Sequence, residues 1–171
     1  FMKFQLTGEE AALKQGLQLL LEAKGHQLAE GGISIVPAPH PEKTLTVSRT
    51  GDRVEIGYCQ TVHFFRGMSL VLQHPEDSTY SCRETVWLDE NGLMLDCSRN
   101  AVYRLDFVRE YLQMMAFAGM NTLYLYLEDT YEIPEYPYFG QMRGRYSQQD
   151  LREIDAFAKI FGIEVVPCIQ T

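Results

Sequence analysis

Residues 121–129, NTLYLYLED, run apolar for most of their length and then end in two acids. The segments LMLDCSR at 93–99 and IEVVPCIQT at 163–171 have the same form, an apolar run that breaks into polar groups. Stretches of helical period separate the three segments, so the pattern predicts strand, helix, strand, helix, strand. Near-continuous apolar strands of this kind are typical of a parallel sheet that helices cover on both faces.

The polar ends of these strands indicate where a functional site would form, because ligands of such sheets bind beyond the carboxyl ends of the strands. Arg99, Glu128 and Asp129 stand at those ends. Arg99 is the strongest candidate, since an arginine at the end of a buried strand must either pair with an acid or face a polar ligand. The residues leave both interpretations open, with Asp96 or a neighbouring strand as the source of the acid.

Glu128 and Asp129 are neighbours, so their side chains start toward opposite faces of the strand and at most one points inward. We expect one to cap a loop and the other to bind a hydroxyl or pair with Arg99. The connection over residues 130–146 is far longer than the roughly 2 to 6 residues usual for such loops. Its aromatic residues are Tyr131, Tyr136, Tyr138 and Phe139. Aromatic rings stack on the apolar faces of sugars, but a long loop packed on its own rings is the more common outcome.

Residues 1–88 have the pattern of a small α+β unit. Thr7 and Glu10 have capping-box spacing, and they precede an apolar helical stripe that Gly25 can close. The first element is therefore predicted to be a helix.

Alternation in the rest of this unit indicates an antiparallel sheet. TLTVSR at 44–49 and RVEIGY at 53–58 alternate on either side of a Gly-Asp turn, which predicts a hairpin. The Pro-rich segment 37–41 before the hairpin is expected to be a loop. A helix over 61–73 and a closing strand over 80–88 are expected after it.

The two helices between the apolar strands carry their own start and stop signals. The first is predicted over residues 105–118 and the second over 148–161, and a glycine follows each. Ser147, with Asp150 three residues later, is a good start for the second helix.

Composition argues against several classes of function. Lys and Arg number 15 against 23 Asp and Glu, and the net charge of -8 opposes binding to nucleic acid or to an anionic bilayer. No run approaches the roughly 20 apolar residues that span a bilayer, and the N-terminus lacks the pattern of a signal peptide. A cytoplasmic location is the expectation.

Metal and cofactor sites are not indicated. The four cysteines form no CxxC pair, and we expect them to be buried free thiols: Cys59, Cys82, Cys97 and Cys168. The four histidines show no convergent spacing, and we expect surface or helix positions for them: His26, His40, His63 and His74. GxGxxG, phosphate-loop and GxSxG patterns are missing, so no cofactor is expected.

Three strings carry a resemblance. GLMLDCSRN at 92–100, GMNTLYLYLEDTYEIPEYPYFGQMRGRY at 119–146 and FGIEVVPCIQT at 161–171 together resemble the glycoside hydrolase family 20 β-N-acetylhexosaminidases, in particular the compact bacterial members. The resemblance implies a small domain over residues 1–88 and the start of a (β/α)8 barrel over residues 89–171. It also implies removal of terminal, non-reducing β-linked N-acetylglucosamine or N-acetylgalactosamine from glycans.

The mechanism that the resemblance implies is retaining and substrate-assisted, an exception to the paired-carboxylate scheme. The acetamido oxygen of the substrate attacks the anomeric carbon, an Asp orients that group, and the adjacent Glu protonates the leaving oxygen. In the family this Asp and Glu belong to the end of the fourth strand. We therefore expect a chain truncated after its third strand, with no catalytic residue and no activity by itself.

Residue by residue, Arg99 matches the family arginine that holds hydroxyls of the terminal sugar. Asp96 and Asp129 match acidic positions near the strand ends, and Glu128 and Tyr131 are further candidates for contact with the sugar. The implied partner is an oligosaccharide that ends in an N-acetylhexosamine, and the oligomeric state is left open.

Two alternatives remain at this point. The chain could be a non-catalytic α/β binding module that dimerises through the edge of its parallel sheet. It could also be a small doubly wound enzyme with Glu128 or Asp129 as base, although it lacks a cofactor fingerprint.

Overall fold

The computed structural model describes residues 1–8, 11–99 and 101–170. The described chain divides into two compact units. The first consists of Phe1–Asp89 with Ala116–Gly119, and the second of Glu90–Met115 with Met120–Thr171.

The first unit is a mixed six-stranded sheet with two helices. Its strands are β1 (Lys3–Leu6), β2 (Gln27–Leu28), β3 (Ile33–Pro39), β4 (Thr44–Thr50), β5 (Arg53–Tyr58) and β6 (Thr79–Thr85). Its helices are α1 (Ala11–Ala23) and α2 (Thr61–Gln73). The strand order is β2-β1-β3-β5-β4-β6, with β4 antiparallel to both of its neighbours and the other pairs parallel.

The expected hairpin of β4 and β5, the helix α2 and the strand β6 are confirmed. The expectation of a purely antiparallel sheet is wrong, because β1, β2 and β3 join it in parallel. These three strands have no alternating pattern long enough to reveal them. The helix predicted after Thr7 is α1, whereas the capping role of Glu10 lies outside the described residues.

Residues 37–39 of the Pro-rich segment before the hairpin do not form a loop but the end of β3. The N–H groups that face β5 belong to even-numbered residues, since those of Ser34 and His40 bond carbonyls on that side. The backbone nitrogens of Pro37 and Pro39, which carry no hydrogen, therefore face the side of β1. The pairing of β1 with β3 ends at Ile35, so no hydrogen bond is lost at either proline. Proline is tolerated in a strand where no ladder bond is lost.

The core of the first unit lies between the sheet and its helices. Its largest fully buried side chains are Phe4, Leu17, Leu20, Leu21, Ile35, Leu45, Ile56, Phe64, Phe65 and Met68. The apolar stripes of the two helices supply six of these ten side chains. Burial rather than helix propensity therefore stabilises the two helices here.

The second unit is a parallel three-stranded sheet with two helices. Its elements are β7 (Gly92–Asp96), α3 (Leu105–Ala118), β8 (Thr122–Tyr126), α4 (Gln148–Ile160) and β9 (Glu164–Cys168). The order β7-β8-β9 is parallel throughout and in register, which confirms the predicted strand and helix order. The carboxyl ends of the three strands consequently meet at one edge.

The start of α4 is a complete capping box. Ser147 Oγ accepts a hydrogen bond from the Asp150 N–H at 3.1 Å, and the Asp150 carboxylate accepts one from the Ser147 N–H at 2.8 Å. We expect Ser147→Ala to lower the free energy of unfolding by about 1 kcal/mol, because one orphan N–H of the helix loses its acceptor. Urea denaturation measures this change, and an unaltered midpoint would contradict it.

The cysteines and histidines follow the expectations only in part. Cys97 is buried, but the other three thiols are half-buried, so the expectation of four buried thiols is wrong. His63 lies on α2, and burial lowers its pKa. Within the described residues, no group of three or more His, Cys, Asp or Glu side chains could hold a metal ion. The longest described helix has 14 residues, and none of the described helices has the length and apolar character to cross a membrane.

Candidate functional site

The segment that follows β7 is folded by Asp96. Its Oδ1 accepts hydrogen bonds from the Ser98 N–H at 2.9 Å, the Ser98 hydroxyl at 2.8 Å and the Arg99 N–H at 3.2 Å. The bonds from Ser98 are the main reason that the pKa of the Asp96 carboxyl lies below its ordinary value. Asp96 therefore stays ionised at neutral pH and shapes the turn that carries Arg99.

The guanidinium of Arg99 binds to residues of β8 and of the turn that follows it, not to the carboxylate of Asp96. Its Nη2 donates to the Tyr126 hydroxyl at 3.3 Å and to Glu128 Oε1 at 3.2 Å. Its Cζ also lies 5.5 Å from the centre of the Tyr126 ring. The bonds to Tyr126 and then Glu128 raise the pKa of Arg99, so the side chain is always a cation.

Tyr126 joins the ends of all three strands. Besides accepting from Arg99, its hydroxyl lies 3.0 Å from Glu128 Oε1 and 2.8 Å from Gln170 Oε1. The hydroxyl has one proton, so it donates to one of these two oxygens at a time. Tyr126 was not among the candidates from the sequence. Its spacing of two residues from Glu128 is the signal that could have indicated it.

Glu128 reaches this cluster through an unusual backbone conformation. Its φ is 49°, and it is the only non-glycine residue with positive φ in the described ranges 1–8, 11–99 and 101–170. The turn closes where the N–H and the hydroxyl of buried Thr130 both donate to the Leu127 carbonyl. A left-handed glutamate costs on the order of 1 kcal/mol or more, and such strain clusters at functional sites.

Asp129 and Glu128 have different partners, although both lie in the turn after β8 and not in the strand, where alternation was expected. Its Oδ1 accepts a hydrogen bond at 2.9 Å from Nη1 of Arg143, which belongs to the long connection over residues 130–146. One acid thus anchors the loop and the other pairs with Arg99, which is the division of roles expected from the sequence.

The long connection is packed largely on itself. Tyr131 pairs with Tyr146 in an isolated bridge and meets the edge of Phe139 at 5.2 Å between ring centres. Arg145 Nη1 donates to the carbonyls of Pro137 and Phe139. Tyr131, a candidate for sugar contact, is therefore engaged in the loop's own packing.

Tyr146 holds the returning end of the loop in the core of the second unit. It is 3% exposed, and its hydroxyl donates to the Tyr103 carbonyl at 2.8 Å. Its backbone bonds Thr130 and Glu132. Burial raises the pKa of the Tyr146 hydroxyl and that of the neighbouring Cys97 thiol, so both stay neutral at physiological pH.

A cavity of about 430 Å³ lies between the segment after β7 and this loop. Its described lining is Cys97, Ser98, Arg99, Ala101, Val102, Glu128, Thr130, Met142, Arg143 and Gly144. The volume falls in the range of small-molecule sites. Two of the five candidate residues, Arg99 and Glu128, line the cavity. Asp96 and Asp129 do not line it but accept hydrogen bonds from residues that do, and Tyr131 packs within the loop. Met142 and Arg143 went unnoticed in the sequence, where only the length of their loop could have signalled them.

The same segment carries a recognisable family pattern. Residues 91–171 match the model of the glycosyl hydrolase family 20 catalytic domain. Over these residues the chain is similar to the catalytic domain of that family. The stretch includes β7, β8, β9 and the whole of the candidate site.

Curated beta-hexosaminidases are similar to part of this chain. A probable beta-hexosaminidase of Drosophila melanogaster is 33% identical over 88 residues, which is 46% of this chain and 13% of the relative. A beta-hexosaminidase of Emericella nidulans is 36% identical over 87 residues, 46% of this chain and 14% of the relative. The chain thus spans about one seventh of the length of each of these relatives.

Solved structures of similar fold match almost the whole of this chain. An exo β-N-acetylglucosaminidase from Vibrio harveyi in complex with N-acetylglucosamine matches 97% of this chain and 32% of its own, with a TM-score of 0.75 and 18% identity. A Streptomyces plicatus N-acetyl-β-hexosaminidase covers 97% of this chain and 41% of its own, with a TM-score of 0.75 and 20% identity. The predicted fold class, a small α+β unit followed by the first βαβαβ portion of a (β/α)8 barrel, is confirmed.

Proposed function

We propose that this chain is the amino-terminal part of a glycoside hydrolase that removes terminal β-linked N-acetylglucosamine or N-acetylgalactosamine from glycans. In this proposal Arg99 holds hydroxyls of the terminal sugar in the cavity beyond β7 and β8. The reaction is retaining and substrate-assisted, as the family resemblance implies, with its acid/base outside residues 1–171.

The observation that carries the proposal is the position of the Arg99 guanidinium. It lines the cavity at the carboxyl ends of parallel strands, where sites of barrel enzymes form. Its side-chain hydrogen bonds to described residues come from Nη2 alone, so Nε and Nη1 keep donors for a ligand. A planar fork of donors matches two adjacent sugar hydroxyls.

Glu128 completes the binding geometry in this proposal. The Glu128 side chain is 26% exposed and lines the same cavity. Its carboxylate accepts hydrogen bonds from Arg99 and from Tyr126. A carboxylate fixed in this way accepts a hydrogen bond from a sugar hydroxyl at low reorganisation cost, because its partners already hold it in place. In this proposal the arrangement binds and orients the terminal sugar.

Turnover of an aryl β-N-acetylglucosaminide tests the proposal. We expect residues 1–171 by themselves to hydrolyse the substrate at the background rate, and the complete protein to release N-acetylglucosamine with retention at the anomeric carbon. Proton NMR of the first-formed product measures the stereochemistry. Robust turnover by residues 1–171, or an inverted first product from the complete protein, would overturn the proposal.

A further inference from the structure

The cavity has a guanidinium on each of its two walls. Arg99 lines it from the segment after β7, and Arg143 lines it from the long loop. Among the described lining residues, Glu128 is the only carboxylate. The lining therefore carries more positive than negative charge, although the chain as a whole has a net charge of -8.

Recognition of a neutral sugar does not account for the second guanidinium. Arg99 and Glu128 already provide a donor fork and an acceptor for hydroxyl groups. A guanidinium is instead the group that proteins use for planar, bidentate recognition of carboxylates and phosphate-like oxyanions.

The contact that now holds Arg143 is one that a ligand can replace. Its Nη1 donates to Asp129 Oδ1 at 2.9 Å, and the two side chains are 37% and 40% exposed. Half-exposed ion pairs contribute little to stability, because water screens them and long side chains lose freedom in forming them. An oxyanion in the cavity would offer Arg143 an acceptor comparable to the Asp129 carboxylate.

We propose that Arg143 is a specificity residue that binds an oxyanion carried by the terminal sugar, either a sulfate ester or a carboxylate. The proposal rests on the proposed function, since it assumes that the cavity holds an N-acetylhexosamine. Arg99 then holds the hydroxyls common to all substrates, and Arg143 selects anionic variants of the sugar. Asp129 keeps Arg143 at the wall when no anion is bound.

Inhibition of the complete enzyme by three sugars that resemble its product tests the role of Arg143. They are N-acetylglucosamine, its 6-sulfate, and N-acetylmuramic acid, which carries a lactyl carboxylate. The measured quantity is the inhibition constant of the neutral sugar divided by that of each anionic sugar. We expect Arg143→Gln to lower this ratio about tenfold for at least one anionic sugar, as loss of a charge-assisted bond implies. The probe that responds identifies the oxyanion.

Asp129→Asn separates recognition from a structural role. Both substitutions break the same ion pair, so a purely structural pair predicts that they shift the ratio in the same direction. If Arg143 binds the anion, Asp129→Asn removes the carboxylate that competes with the anion for Arg143 and therefore raises the ratio. Arg143→Gln lowers the ratio in that case. Arg152→Gln is the matched control, since Arg152 lies on α4 and bonds Gln148 of the same helix.

The inference is overturned if Arg143→Gln changes both ratios by less than about twofold, or if the two substitutions shift the ratios alike. Hydrolysis of the neutral substrate in the same experiment would leave the proposed function standing in either case. A complete protein that neither hydrolyses the neutral glycoside nor binds N-acetylglucosamine would overturn the proposed function and this inference together.

Discussion

Replacing Arg99 with methionine is expected to lower kcat/KM of the complete enzyme for a neutral aryl N-acetylglucosaminide about 100- to 1000-fold. Methionine keeps most of the aliphatic stem and removes the donors. A hydrogen bond from a charged group contributes about 1.5–3 kcal/mol, and each 1.4 kcal/mol is tenfold. Two lost contacts near the lower end, about 3–4 kcal/mol together, therefore correspond to this loss. Steady-state kinetics on the purified variant measures the change.

Two variants show whether the loss arises from the geometry of the guanidinium. Arg99→Lys keeps the charge but not the fork, so we expect a smaller loss, about tenfold. Arg104→Met is the matched control, because Arg104 is 85% exposed and pairs only locally with Asp106 among the described residues. We expect it to leave kcat/KM within twofold. A change of less than twofold for Arg99→Met would remove Arg99 from the binding site.

Glu128→Gln separates the ion pair from the contact with the sugar. Glutamine keeps an acceptor for Arg99 and Tyr126 but removes the charge. If Glu128→Gln keeps most of the activity that Arg99→Met loses, the charge of Glu128 is not required and Arg99 acts mainly by binding hydroxyls. A loss in Glu128→Gln equal to that in Arg99→Met would mean that the charged pair acts as a unit.

Replacing Tyr146 with alanine is expected to lower the free energy of unfolding by about 3–5 kcal/mol, the range for a large buried aromatic residue. The ring is 3% exposed, and its loss leaves a cavity beside Cys97. The loop over residues 130–146 would also lose its anchor at the returning end. Urea denaturation of the chain, monitored by circular dichroism, measures the change in the free energy of unfolding.

Tyr146→Phe isolates the hydroxyl from the ring. It keeps the packing but leaves the Tyr103 carbonyl without its donor, which costs about 1 kcal/mol. Tyr136→Ala is the control in the same loop, because Tyr136 is 67% exposed, and its effect should stay within about 0.5 kcal/mol. Equal losses for Tyr146→Ala and Tyr136→Ala would contradict the role of Tyr146 as the anchor.

The helices could be predicted closely from the sequence because their signals are local. Helix α3 has the predicted bounds, and α4 begins one residue after Ser147, whose side chain and that of Asp150 cap it. The strands β7, β8 and β9 were found because a continuous apolar run is typical of a strand in a parallel sheet. Burial on both faces is not met by β9, whose residues are half-buried or exposed. The family pattern lies on these same residues.

The strands β1 to β3 could not be predicted in this way. They are short or contain proline, and they exist because a neighbouring strand supplies their hydrogen bonds. Only the register of β3 against β5 reveals that Pro37 and Pro39 fall where no ladder bond is needed. The mixed sheet of the first unit is accordingly a result of pairing between distant segments.

The partners of the candidate site residues also depend on tertiary structure. Sequence placed Arg99, Glu128 and Asp129 at the ends of strands, and Asp96 was the nearest acid to Arg99. The structure pairs Arg99 with Glu128, 29 residues away, because β7 and β8 lie side by side in register and a left-handed turn directs Glu128 back. Asp129 meets Arg143 across a loop of 14 residues, which no periodicity describes.

Apolar periodicity and helix caps thus determined the order of strands and helices in the second unit, and with it the edge where polar side chains gather. Which charges meet at that edge was decided by strand register and by the return of the long loop. The reason is the distance along the sequence over which each interaction acts. Helix caps and periodicity depend on residues a few positions apart, whereas an ion pair forms between any two charged groups that the packed backbone brings within about 4 Å.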